Sequence, residues 1–338
     1  MVTMRSIDLT RRIAMGMGLA LLLETSAAFV AAAPAAGQGG AATPAKVEAA
    51  DEPSTTTKKK PTRRRKRRRA PALRLPAITA HGIPRLHVKA AYVVDEESGR
   101  VLFQKNPERV MPIASLTKLV TALVLLDTDP DWDRMVEILP EDVRNSSRTK
   151  IRVREEMTVR DLIHAALMSS DNVATKALAR TCGLTKSEFV ERMNQKADSL
   201  GLTGTHFVEP TGLSEQNVAT AEGCARLLRA ASANPIVGAI MKKQSYTFRS
   251  NRKPHVLANT NRLLRSKWQV TAGKTGYINE AGYCLVTSVV APSGSDITAV
   301  VLGAPSNALR FAEARRILDW TFRFGLNQAA DNPVGGSD

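Results

Sequence analysis

"PIASLTKLVTALVLL" (residues 112–126) sets a serine and a lysine three residues apart, directly ahead of an unbroken apolar run. Ser115 and Lys118 are either a nucleophile with its base or the polar end of a helix, and spacing alone does not decide. The same Ser-x-x-Lys spacing recurs at Ser147–Lys150 in "RNSSRTKIRVREE" and at Ser250–Lys253, which runs into Pro254. Neither of those begins an apolar helix. After Ser115 the apolar residues leave almost no polar face, as in a helix buried on nearly all sides. Residues three apart share a helix face, so Lys118 reaches the Ser115 hydroxyl. The positive end of the helix dipole would there favour a developing oxyanion.

Working outward, "AAYVVDEESGRVLFQKN" (90–106) holds two β-rich runs joined by a polar turn and predicts a hairpin. The stretch from about 130 to 262 reads as largely helical. Thr158–Asp161 and Thr185–Glu188 each have the spacing of a capping box, and Gly201 closes the helix that Thr185 opens. Strands return in "WQVTAGKTGY", "GYCLVTSVVA" and "DITAVVLGA", the last two flanking "PSGS". A final helix is expected after Asn307 as N-cap. Strands at both ends with helices between imply an α/β fold, its one sheet built from the two ends around a helical insertion.

The first quarter of the 338 residues is unlike a packed domain. Residues 1–33 run from Arg5, Arg11 and Arg12 through an apolar stretch, Ile13 to Leu23, into the small residues of "TSAAFVAAAPAAG". That order predicts an export signal; an uncleaved anchor running to Ala33 is the alternative. Residues 34–80, rich in Ala, Pro, Thr and basic residues, read as a disordered linker, and 327–338 as a polar tail. Residues 81–326 make the folded domain. Residues 1–74 carry 15 Lys and Arg against 5 Asp and Glu, while the other 264 carry 33 against 27. Basicity therefore belongs to the linker, above all to "KKKPTRRRKRRR" (58–69). Without interleaved aromatics the run does not read as a nucleic-acid site. It reads either as a solvated spacer or as a contact to an anionic envelope surface.

Cys182, Cys224 and Cys284 match no metal spacing; one disulfide with a leftover thiol and three buried free thiols both remain open. The five histidines are scattered, which argues against a zinc hydrolase, and His164 reads as a packing residue.

Two clusters complete the pattern. In "LMSSDNVATKAL", Ser170–Asp171–Asn172 interrupts two apolar helices; in "TAGKTGYINEAGY", Lys274–Thr275–Gly276 lies on a strand. Alone, one is a capping turn and the other a strand end. In the order Ser-x-x-Lys, Ser-x-Asn, Lys-Thr-Gly they are specific. Over about residues 81–325 the chain resembles the penicillin-binding D-alanyl-D-alanine peptidases, and among these the small periplasmic D,D-endopeptidases. The resemblance extends through "FVEPTGLSEQNVATA" (207–221), "NTNRLL" (259–264) and "GKTGYINEAGYCLV" (273–286).

The resemblance implies an antiparallel sheet flanked by helices, with a helical subdomain between its N- and C-terminal strands. It also implies hydrolysis of peptides at D-Ala residues of peptidoglycan through an acyl-enzyme, with β-lactams as covalent inhibitors and no metal or organic cofactor. Ser115 would attack, and Lys118 would take its proton, its pKa lowered by burial and by Lys274. Ser170 would relay a proton to the leaving amine, and Asn172 would hold Lys118 and the substrate amide. Lys274, Thr275 and Gly276 would bind the substrate, the first two through its carboxylate. The backbone N–H groups of Ser115 and Tyr277 would form the oxyanion hole. Three rivals remain: a carboxypeptidase, a class A β-lactamase with Glu209 as water-activating base, and a binding module acting through the basic run. Leu213 stands where the lactamase pattern expects Asn.

Overall fold

Period-two alternation of apolar residues builds the sheet, and a computed structural model, describing residues 83–146 and 149–327, gives its topology. The export signal, the linker with its basic run, Ser147 and residues 328–338 lie outside the described residues. Strands β1 (Ala90–Asp95) and β2 (Val101–Lys105) form the expected hairpin. The Asp95 carboxylate holds its turn by accepting the Glu97 and Ser98 amides. Strand β3 (Met111–Pro112) leads into a single 3-10 turn, Ala114–Thr117, and then α1 (Lys118–Leu126).

The middle of the chain contains β4 (Met135–Glu137), α2 (Pro140–Val143), β5 (Glu156–Thr158), α3 (Val159–Met168), α4 (Asn172–Thr181) and α5 (Lys186–Ser199). Next come β6 (Val218–Ala219), α6 (Ala221–Ala233), α7 (Pro235–Lys242), β7 (Ser245–Arg249) and β8 (Pro254–Ala258). The chain returns to the main sheet in β9 (Val270–Ile278), β10 (Gly282–Val290) and β11 (Asp296–Ala304), and α8 (Asn307–Arg323) follows.

All neighbours in the five-stranded sheet are antiparallel, in the order β2-β1-β11-β10-β9. Its centre therefore joins the two ends of the domain, with Val94 opposite Thr298. The two faces bury different sets of side chains, as the strand period requires. Ile297, Ala299 and Val301 pack with Phe311, Ile317 and Trp320 of α8. Val300, Leu302, Cys284 and Val286 pack with the helices, where Leu119, Val120 and Leu125 of α1 lie at the centre. Burying each such side chain contributes about 1.5–3 kcal/mol, which fixes α1 firmly behind Ser115.

Three local expectations are corrected. The 130–262 stretch holds two small hairpins, β4–β5 and β7–β8, besides its helices. The N-cap of α8 is Ser306, whose side chain accepts the Leu309 amide, and Asn307 is the first helical residue. Thr158 caps α3 by accepting the Asp161 amide, but the Asp161 carboxylate accepts from the Thr158 hydroxyl and not from the Thr158 amide. Thr185 and Glu188 form the full reciprocal box, and Gly201 past the end of α5 has φ +63°.

Candidate active site

Ser115 sits on the 3-10 turn and Lys118 opens α1, so the nucleophile precedes the α-helix that the sequence started with it. The three-residue spacing still brings them together: Lys118 Nζ donates to Ser115 Oγ at 3.0 Å. Nζ also donates to Asn172 Oδ1 at 2.6 Å and to the Thr211 carbonyl at 2.6 Å. Lys118 is 1% exposed. Burial brings its pKa down to about 7, against the opposing pull of the Glu209 and Asp171 carboxylates. Nearly isoenergetic charged and neutral forms suit a group that must take a hydroxyl proton near neutral pH.

Helices α3 and α4 meet at the second cluster. Asp171 is the N-cap of α4, accepting the Val173 and Ala174 amides. That cap places Asn172 at the first helical position, facing Lys118. Ser170, immediately before, has φ +61°, a left-handed backbone that an L-residue adopts at a cost. The strained turn presents its hydroxyl to Lys274, whose Nζ donates to Ser170 Oγ at 2.8 Å.

Lys274 comes from the edge strand β9, in register with Val286 of β10, and is likewise 1% exposed. Burial drives its pKa far down, helped by Lys118 and Arg310. Burial is the leading cause for both amines, and their mutual positive charge acts in the same direction. Lys274 is also sequestered behind Ser170. Thr275 Oγ1 donates to Thr260 Oγ1 at 2.7 Å, and Thr260 in turn donates its amide to the Met168 carbonyl at 2.9 Å. Thr260 thereby ties the β9 wall to the turn carrying Ser170.

Gly276 is required by a close approach of backbone. A Cβ there would lie 2.8 Å from the Ile113 carbonyl oxygen and 3.0 Å from the Ser115 amide nitrogen. Strand β9 therefore runs against the nucleophile's own backbone. The Tyr277 ring is turned outward, stacked on Tyr283 with centroids 4.1 Å apart.

The structure adds residues that the sequence did not single out. Arg310 is buried on α8 and donates through Nη1 to the carbonyls of Gly276 at 2.9 Å and Cys284 at 3.2 Å. Burial lowers its pKa to about 10. A cation on the helix face shared with Ala314 and Ile317 was the available signal. Thr211 acts through its carbonyl, which leaves no mark on residue type. Among the described residues no three His, Cys, Asp or Glu side chains are grouped so that they could hold a metal ion. The three cysteines are free thiols, and burial pushes Cys182 and Cys284 each up to about 11. His164 is the packing residue expected, with Nδ1 2.7 Å from the Arg160 carbonyl and its ring stacked on Tyr246.

Both carboxylate oxygens of Glu209 are engaged by protein donors. Its Oε2 accepts the Thr211 amide and hydroxyl, and its Oε1 accepts the amides of Gly212 and Leu213.

The chain is similar to known proteins in sequence and in fold. The chain is 39% identical over 239 residues to the D-alanyl-D-alanine endopeptidase of Pseudomonas aeruginosa PAO1, covering 68% of this chain and 76% of that protein. It is 35% identical over 249 residues to the D-alanyl-D-alanine endopeptidase of Escherichia coli K12, covering 72% and 80%. The crystal structure of the Streptomyces K15 DD-transpeptidase superposes with a TM-score of 0.68 at 27% identity, covering 71% of this chain and 99% of that one. From residue 77 to residue 306 the sequence matches a single peptidase family, and the chain belongs to it: the D-alanyl-D-alanine carboxypeptidase family of serine peptidases.

Proposed function

We propose that this protein is exported to the periplasm and acts as an endopeptidase on D-Ala-containing cross-links of peptidoglycan. The observation that carries the chemistry is the 3.0 Å contact between Ser115 Oγ and a buried amine whose pKa is about 7. In this reading the neutral Lys118 takes the hydroxyl proton as Oγ attacks the D-Ala carbonyl. The oxyanion forms between the backbone N–H groups of Ser115 and Tyr277. Ser170, held by Lys274, relays that proton from Lys118 to the departing amine, and the C–N bond breaks to leave an acyl-Ser115 ester and a neutral Lys118. Water then attacks that ester, with Lys118 again as base, and releases Ser115. Thr275, with Lys274, meets the substrate carboxylate, and a β-lactam follows the same path as far as the ester. The Glu209 contacts speak against the lactamase alternative, because both carboxylate oxygens are already taken by protein donors.

Cleavage of cross-links rather than terminal D-Ala is favoured by the two endopeptidase relatives. The test is digestion of purified cross-linked and monomeric muropeptides with wild-type protein and Ser115→Ala. Loss of dimers with wild type only supports the reading. Surviving dimers, with monomeric pentapeptides trimmed, would make the protein a carboxypeptidase. The basic run, residues 58–69, would tether the enzyme to an anionic envelope surface. Its deletion should weaken salt-sensitive envelope binding and leave hydrolysis of soluble muropeptides unchanged.

A further inference from the structure

The geometry points to Glu209 as the positioning residue of the general base: its carboxylate folds residues 209–214 into a cup that delivers the Thr211 carbonyl to Lys118. This rests on Ser115 and Lys118 being the reacting pair. Six protein donors converge on the one side chain. Oε2 accepts from the Thr211 amide at 2.8 Å and from its hydroxyl. Oε1 accepts from the amides of Gly212, Leu213 at 2.8 Å and Ser214 at 3.3 Å, and from Asn217 Nδ2 at 3.0 Å. Four successive amides turned toward one anion form a nest, which needs the negative charge to stay folded.

The cup is clamped onto the nucleophile's own segment. Gly212 has φ +81°, and a Cβ on it would fall 2.0 Å from the Ala114 carbonyl oxygen, so the loop touches the residue before Ser115. Pro210 offers its carbonyl to Thr121 Oγ1 at 2.6 Å, one turn along α1 from Lys118. The Asn217 carbonyl receives the Ile113 amide at 3.1 Å. Between these anchors the Thr211 carbonyl meets Lys118 Nζ at 2.6 Å, where it fixes the amine beside Ser115 Oγ.

Charge gives Glu209 an effect that a purely structural residue would lack. The groups acting on Lys118 are Glu209 from this loop, Asp171 from the cap of α4 and, across the site, Lys274 on β9. Glu209 opposes the desolvation of Lys118 and keeps the amine basic enough to accept a hydroxyl proton. It acts in the same sense on Lys176 of α4. Removing its charge should make Lys118 easier to deprotonate and also loosen its aim.

The experiment measures the second-order rate of Ser115 acylation by a fluorescent penicillin from pH 5 to 9, with deacylation followed separately. Glu209→Gln should lower the acylation rate at pH 8 by about tenfold or more, the scale of a misplaced reacting group. Its acid limb should move to lower pH by about half a unit or more, because a negative neighbour has been lost. Glu209→Asp keeps the charge but shortens the reach, so its rate should fall while its acid limb stays in place. A Glu209→Gln acid limb coincident with wild type overturns the proposal. So does unchanged acylation with deacylation alone lost, since Glu209 would then be the water-activating base. If Glu209→Gln does not fold, Glu209→Asp decides, and a rate within twofold of wild type rejects the positioning role. Failure of the wild-type protein itself to be acylated on Ser115 would instead remove the reading beneath it.

Discussion

Two Ser-x-x-Lys copies in this protein have opposite fates. At Ser115 the four residues span a 3-10 turn and the start of α1, and the lysine is buried against its serine. At Ser250 they form the turn of the β7–β8 hairpin. There the hydroxyl donates to the buried Glu155 Oε1 at 2.6 Å, and Lys253 reaches away to the Lys150 carbonyl. The same carboxylate oxygen contacts His255 Nε2 at 2.6 Å. Burial disfavours the Glu155 charge, yet the Ser250, His255 and Arg152 contacts outweigh it and hold its pKa below the usual value. One serine faces an amine whose pKa burial has lowered to about 7, and the other stabilises an anion. The backbone beneath the motif decides which chemistry it does.

The widest separation between the copies should come from arginine scanning. Lys118→Arg installs a group that stays protonated and cannot serve as base. Acylation of Ser115 should drop by about 10³-fold or more, within the range seen when a member of a catalytic unit is removed. Lys253→Arg should leave the rate within about twofold, as a half-buried change away from the reacting pair does. Comparable losses in both variants would erase the distinction.

A pH titration probes the same contrast. Lys118 is the base in its neutral form, so acylation should fall about tenfold per pH unit below its pKa of about 7. Stability follows the same proton. The folded pKa lies below the ordinary 10.5, so between about 7 and 10.5 the unfolded chain binds more protons. The contribution of Lys118 therefore makes the protein more stable as pH rises through that window. Denaturant midpoints of wild type and Lys118→Met at pH 7 and 9.5 would measure it, and equal pH dependence in the two would refute it.

Smaller effects should separate structure from catalysis. Ser250→Ala should cost about 1–3 kcal/mol of stability, the price of leaving a buried acceptor short of a donor. Acylation at 25 °C should change less than twofold. A large rate loss without loss of stability would mean that the hairpin cluster acts on the active site.

What was legible in the sequence depended on how far each signal had to reach. The β1–β2 hairpin and the Thr185 box are local and follow from neighbouring residues alone. Ser115 meets Lys118 for the same reason, while the Ser170 and Lys274 clusters were identified by order and resemblance. The β7–β8 hairpin was missed because its strands are short and largely solvent-facing, so only Phe248 and His255 are buried. Ser306 and Asn307 both cap helices well, and composition could not choose between them. Contacts spanning many residues carried no local mark. Thr211 to Lys118 crosses 93 positions and Lys274 to Ser170 crosses 104. They became visible only when the sheet and helices brought the segments together.

The central place of β11 has a consequence for how the enzyme comes into being. It pairs with β1 on one side and β10 on the other, yet it is the last strand of the sheet in chain order. Pairings this distant in sequence form late, because the loop must close before the contact is gained. A chain emerging from its N-terminus can wind α1 early but cannot seat β9 beside it until β10 and β11 have followed. The nucleophile is therefore made long before its opposite wall. Until its final strand slots into the middle of the sheet, a peptidase of this design has its nucleophile but not the wall that faces it.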